Sequence, residues 1–172
     1  METPRLRLRG HRLEDLPDCA AMWSDPNVTR MISGTPSTES QTWLRLLAYT
    51  GHWQLRNFGY WVIEERDSGA FVGEAGFADF KRDIGPAMRD VPELGFALAT
   101  RFHGKGYATE AVGAVVSWGD ANLPYDRTVC LINAQNLPSL RIAEKHGYRP
   151  FDRTTFNQRE VVLLDRTRQR DK

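Results

Sequence analysis

The chain has 172 residues, 41% of them hydrophobic and five of them tryptophan, with a formal net charge of +1 at pH 7. That length buries one sizeable core and is too short for two ordinary domains, so a single domain over residues 1–172 is expected. The near-neutral charge gives no global attraction to nucleic acid or an anionic membrane. The longest helix-like apolar run, Ala111 to Trp118, falls far short of a span, and the first residues lack the apolar core of a signal peptide. A cytoplasmic protein without nucleic-acid or membrane partners is expected.

Residues Arg5 to Arg9 alternate Leu and Arg, as a strand with one buried face does, and Leu16, Cys19, Ala20 and Trp23 then follow helical spacing. Thr38 with Gln41 reads as a capping box ahead of Trp43, Leu44, Leu46 and Leu47, which predicts a second helix ending near Trp53 or Arg56. Phe58 to Glu65 and Ala70 to Phe80, joined by Arg66-Asp67-Ser68-Gly69, read as an antiparallel hairpin. Trp53, Phe58, Tyr60 and Trp61 are expected in the core. A loop rich in Gly, Pro and charge covers Arg82 to Asp90, either a gate to a site or plain surface.

The next strand begins near Val91 and runs into a glycine turn, and the helix after it shows an apolar stripe at Ala108, Val112, Val115 and Gly119. Asp126 to Asn133 is a strand, Pro138 to His146 a short helix stopped by Gly147, and Tyr148 to Asn157 with Arg159 to Arg166 a closing hairpin. This order fits a mixed α+β sheet. Arg166, Arg168, Arg170 and Lys172 make a basic tail, read as a solvated, frayed terminus. Cys19 and Cys130 sit in apolar contexts and are expected as buried free thiols. His11, His52 and His146 show no ligand spacing with one another or with the cysteines, so no metal is expected.

The chemistry concentrates at Arg101 to Ala108. Gly104 and Gly106 remove side chains where backbone N–H groups would face an anion, the following helix adds its partial positive end, and Arg101 and Lys105 supply charge beside it. A magnesium-assisted nucleotide loop needs Ser or Thr directly after the Gly-Lys pair, where Gly106 stands. A dinucleotide fingerprint needs a third glycine, where Thr109 stands. A pyrophosphate held without metal remains, beside the plainer reading of an ordinary strand-to-helix turn.

Arg101-x-x-Gly104-x-Gly106, following a strand and opening a helix, resembles the acetyl-coenzyme A signature of the GCN5-related N-acetyltransferases (GNAT), and Gly104 to Ala111 is especially similar to their RimJ/RimL branch. Asn136-Leu137-Pro138-Ser139 and Glu144-Lys145-His146-Gly147-Tyr148 match further elements of that branch in the expected order, and Pro4 to Arg9 with Glu14 to Leu16 resemble its opening. The resemblance implies the GNAT fold: a central, mostly antiparallel twisted sheet, flanked by about four helices, whose central strands splay apart between the strand ending near Ala99 and the one ending near Asn133. It implies acetyl-coenzyme A as donor. Backbone N–H groups of Gly104, Lys105, Gly106, Tyr107 and Ala108 would hold the pyrophosphate, and strand backbone at Phe96, Ala97 and Leu98 would pair with the pantetheine arm.

By the same resemblance Asn136 contacts the cofactor arm and Ser139 lies near its sulfur, placed to protonate the leaving thiolate; both residues also suit a plain helix N-terminus. Many relatives outside the branch carry a tyrosine general acid where this chain has Ala143. Glu93 is the first choice for the base that takes the amine proton, directly or through water, with Glu74 second and His103 third; cross-strand ion pairing is an equal reading for both carboxylates. An α-amine has a pKa of roughly 7.7–8.0 against about 10.4 for lysine, so at pH 7 lysine carries an extra deprotonation cost of roughly 3–4 kcal/mol. An α-amine thus demands the weaker base, and the resemblance to the RimJ/RimL branch implies the N-terminal amine of a protein as acceptor, a ribosomal one included. Small amines such as polyamines or antibiotics, or a sensor that holds acetyl-coenzyme A without turnover, are the alternatives. The resemblance also implies a homodimer.

Overall fold

The computed structural model describes residues 1–168. The alternation of Leu and Arg at the start becomes strand β1 (Leu6–Arg9), with both leucines fully buried. It lies at one edge of a seven-stranded sheet with β2 (Tyr60–Glu65), β3 (Phe71–Ala78), β4 (Glu93–Leu98), β5 (Arg127–Asn133), β6 (Arg149–Phe156) and β7 (Arg159–Thr167). The order is β1-β2-β3-β4-β5-β7-β6, so the last strand of the chain enters between β5 and β6. Every neighbouring pair is antiparallel except β4 and β5.

Among the described residues five α-helices accompany the sheet: α1 (Leu16–Ser24), α2 (Pro26–Thr29), α3 (Glu39–Arg56), α4 (Tyr107–Asn122) and α5 (Leu137–Lys145). The Thr38 capping box starts α3 as its sequence predicts. The Thr38 hydroxyl accepts from the Gln41 N–H at 3.2 Å and the Gln41 side chain accepts from the Thr38 N–H at 2.9 Å. On α4, Val112, Val115 and Gly119 of the expected stripe are buried together with Ala111 and Val116, which anchors the helix on the core shared by β2, β3 and β4. Phe58, Tyr60 and Trp61 are buried and Trp53 packs against them, as residues of a core.

The parallel pair β4 and β5 stays in register only at Glu93 with Val129 and Leu94 with Cys130. Beyond Leu94 the two strands part, while β4 keeps its pairing with β3 through Leu98. The edge of residues 95–98 that faces β5 is therefore left without a strand partner, and backbone N–H and C=O groups line the resulting split.

One stretch departs from the sequence reading. Arg166 is no part of a frayed tail: it lies in β7, 8% exposed, with both terminal nitrogens donating to Asp120 at 2.6 Å and Nε donating to the His146 carbonyl. A guanidinium at that depth needs a paired carboxylate, and Asp120 on α4 provides it. Arg168 donates to the Leu123 carbonyl at 3.0 Å, and Arg170 and Lys172 lie outside the described residues. The loop from Arg82 to Asp90 is anchored by a 3-10 turn at Pro86–Met88, whose Met88 is buried against Val129, Val161 and Leu163.

Candidate active site

The split between β4 and β5 opens into two cavities. The larger, about 590 Å³, is walled by Phe96, Ala97 and Leu98 of β4, by the loop and first turn of α4, and by Asn136, Pro138 and Ser139 at the start of α5. The smaller, about 330 Å³, is walled by Trp23, by Arg45 and Tyr49 of α3, by Tyr60, by Phe80 and Arg82, and by the β6–β7 hairpin. Phe96, Ala97, Asn136 and Ser139 border both cavities. The two spaces meet where the strands part.

Gly104 and Gly106 both take left-handed backbone conformations, φ +75° and +78°, which an L side chain adopts only at a cost of roughly 1–2 kcal/mol. Gly106 is the N-cap of α4 and has no side chain to cap the helix, so the first N–H groups of a 16-residue helix are presented to the larger cavity. The loop is tied down from the segment that leads into β1. Arg5 donates from Nη1 to the Lys105 carbonyl at 2.8 Å and from Nε to Glu110 at 2.7 Å, and Glu110 also accepts from the Arg5 N–H and the Thr3 hydroxyl. Arg101 donates to the Phe71 carbonyl, and the Arg101 and Lys105 cations each lie 5.0 Å from the centre of the Phe102 ring; neither residue borders either of these two cavities.

Asn136 is the N-cap of α5, its Oδ1 accepting from the Ser139 N–H at 3.3 Å, so the capping reading of this pair holds while both residues also border the two cavities. The Ser139 hydroxyl has no protein hydrogen-bond partner among the described residues. Ala143, fully buried, offers no acid.

Glu93 lies on the wall of the smaller cavity, 7% exposed. Its two oxygens accept from Nε and Nη2 of Arg82 at 2.7 and 3.0 Å. Burial pushes its carboxyl above the usual range, and Arg82 opposes that shift without cancelling it. Glu74 borders neither cavity. Its carboxylate accepts from Trp23 Nε1 at 2.7 Å and pairs with His11 Nε2 at 2.6 Å, with the Cys19 thiol donating at 3.5 Å. Sequence spacing hid this cluster: ligand-capable atoms of His11, Cys19 and Glu74 lie within 4.8 Å of one another, although Glu74 is distant in the chain from the other two. His103 borders the larger cavity, but its Nε2–H donates to the Leu98 carbonyl at 2.8 Å, so that nitrogen does not accept a proton.

Cys130 borders the smaller cavity, and burial followed by the charge of Glu93 pushes its thiol far up, away from the thiolate a covalent relay would need. Arg45, Tyr49, Tyr60 and Arg159 were not singled out from sequence as site residues. They stand on three separate elements, and nothing in their local spacing signals a shared cavity.

Comparison with known proteins decides the family. Residues 5–149 match the model of the acetyltransferase (GNAT) domain. The chain belongs to the GNAT acetyltransferases. As a GNAT N-acetyltransferase it is similar to the uncharacterized N-acetyltransferase p20 of Bacillus licheniformis, 30% identical over 169 residues that cover 95% of this chain and 84% of the relative. A Bordetella pertussis structure assigned to the GNAT family superposes on this acetyltransferase with a TM-score of 0.87 at 34% identity, covering 97% of this chain and 98% of that one. RimL, a ribosomal L7/L12 α-N-protein acetyltransferase solved with coenzyme A, shares the GNAT fold at a TM-score of 0.76 and 15% identity, covering 96% and 95% of the two chains. Among the described residues of this GNAT chain, no helix is long and apolar enough to cross a membrane.

Proposed function

We propose that this acetyltransferase moves an acetyl group from acetyl-coenzyme A to a primary amine by direct attack in a ternary complex, with a protein N-terminal α-amine as acceptor, in the manner of a RimJ/RimL-like enzyme. The observation that carries the reading is the meeting of two cavities at the β4–β5 split, one bordered by an uncapped helix N-terminus and the other by Glu93. The residues present fit the donor. Gly104 and Gly106 expose backbone, nothing lies within 4 Å of where a Gly104 side chain would start, and a cavity of about 590 Å³ falls within the usual size for ligand sites.

Acetyl-coenzyme A, when bound, supplies an activated thioester. The N–H groups of residues 104–108 would hold its pyrophosphate, and the unpartnered edge of residues 96–98 would take its arm. Asn136 and Ser139 then stand at the junction with the second cavity. The amine nitrogen forms its bond to the carbonyl carbon as the carbon–sulfur bond breaks, and fixed strand N–H dipoles stabilise the charge that develops on the oxygen. Glu93 takes the amine proton, directly or through water, and its raised pKa suits that role better than an ordinary carboxylate's. The departing thiolate, with a reference pKa near 8.5, needs little help from Ser139.

Mass spectrometry after incubation with acetyl-coenzyme A tests the reading. A peptide with a free N-terminus is expected to gain one acetyl group at its α-amine, with the mass of the protein unchanged when no acceptor is present. An acetylated protein that hands its group to the amine would overturn direct attack. Acetylation confined to lysine side chains would overturn the assignment of an α-amine.

A further inference from the structure

The smaller cavity has an unbalanced charge. Three arginines, Arg45, Arg82 and Arg159, line it against one acidic residue, Glu93, and Glu93 is taken by Arg82 on both oxygens. Arg45 and Arg159 are half-buried and have no carboxylate partner among the described residues. Each uses a small part of the five donors a guanidinium carries. Arg45 lies 3.8 Å from the centre of the Trp23 ring and makes one long contact, 3.4 Å, to the Ser37 hydroxyl. Arg159 reaches across from the β6–β7 hairpin to donate to the Arg30 carbonyl and rests against Gly34.

We propose, on the basis of the transferase reading above, that the acceptor is an anionic amine, whose carboxylate or equivalent group is held by Arg45 and Arg159 while its amine faces the β4–β5 junction. Guanidinium groups partly removed from water and lacking a counter-charge are an incomplete arrangement, and a carboxylate completes it with parallel charge-assisted hydrogen bonds. A polyamine would bring two or more further positive charges to the same wall, which such a site discriminates against.

The buried cluster around Glu74 gains a purpose in this arrangement. Glu74 holds the Trp23 indole N–H at 2.7 Å, and the Trp23 ring is the platform on which Arg45 lies.

The anionic group has two chemical sources: the α-carboxylate of a free amino acid, or an acidic side chain beside the N-terminus of a protein. Initial rates of coenzyme A thiol release separate them, with C-terminally amidated tripeptides differing only by Asp, Asn or Lys at the second residue, with free alanine and its α-amide, and with spermidine. The Asp peptide or free alanine is expected to exceed its carboxylate-free counterpart, the Asn peptide or the alanine α-amide, in kcat/KM by about tenfold, with the Lys peptide and spermidine lower still. In Arg45→Gln and Arg159→Gln the acidic-to-neutral ratio is expected to fall toward one, and Arg45→Lys to restore part of it. A general loss of folding or turnover would not move that ratio. Equal rates on acidic and neutral acceptors, a preference for spermidine, or a ratio untouched in both glutamine variants would overturn the inference and leave the transferase standing. Acetyl-coenzyme A binding with no turnover on any amine would overturn both.

Discussion

Glu93 carries the most chemistry of any single residue here, and its setting makes a signed prediction. Burial raises its carboxyl pKa, so the group is a proton acceptor only at pH values above that raised value, and the rate it supports is lost as the pH falls through it. In Glu93→Gln the acid limb of the kcat/KM profile is expected to rest on the amine alone, near its own pKa of roughly 7.7–8.0 for an α-amine, and turnover is expected to fall by about a hundredfold. A profile that keeps its shape and height would remove Glu93 from proton transfer and leave it as the partner of Arg82. The residue was legible as a candidate because it opens the strand that runs into the glycine turn. An ion pair was legible only as one of two readings and as a cross-strand one, whereas the partner, Arg82, lies in the loop between β3 and β4. Glu74, the second candidate, proves to be engaged on both oxygens by His11 and Trp23, residues some fifty and more positions away in the sequence, a proximity that local pattern does not carry.

At the scale of elements, the turn into α4 is where backbone shape and function coincide. The left-handed φ of Gly106 and the open space around it mean that an added methyl group meets only the end of the Arg5 side chain, at 3.4 Å. Gly106→Ala is therefore expected to cost about 1 kcal/mol of stability from backbone strain, read as a lowered Tm. It should also raise the KM for acetyl-coenzyme A by about tenfold, because the N–H groups at the helix start move out of alignment. A changed KM for the amine with none for acetyl-coenzyme A would place the donor elsewhere. Elements of this kind were readable in advance: the Leu and Arg alternation of β1, the Thr38 capping box of α3 and the apolar stripe of α4 all rest on spacings of two to four residues. Boundaries moved by a residue or two, as where β4 begins at Glu93 rather than near Val91. The short helix α2 had no expected counterpart, since four residues hold too little periodicity to register.

Across the whole molecule, long-range placement decides the site. The insertion of β7 between β5 and β6, the parting of β4 from β5 after Leu94, and the convergence of Arg45 and Arg159 on one cavity all join residues distant in the chain. No period in the sequence encodes such meetings; the resemblance to GNAT proteins implied the split, and the two cavities follow from the structure. Arg166 shows the same limit from the other side, because a cation near the end of a chain looks solvated until the fold brings Asp120 beneath it. The central claim, that amine and thioester meet directly at the split, is tested by steady-state coenzyme A thiol release with acetyl-coenzyme A and an N-terminal peptide both varied. Saturation in each substrate with intersecting double-reciprocal lines is the predicted result; parallel lines, or no release above hydrolysis while acetyl-coenzyme A binds, would contradict it.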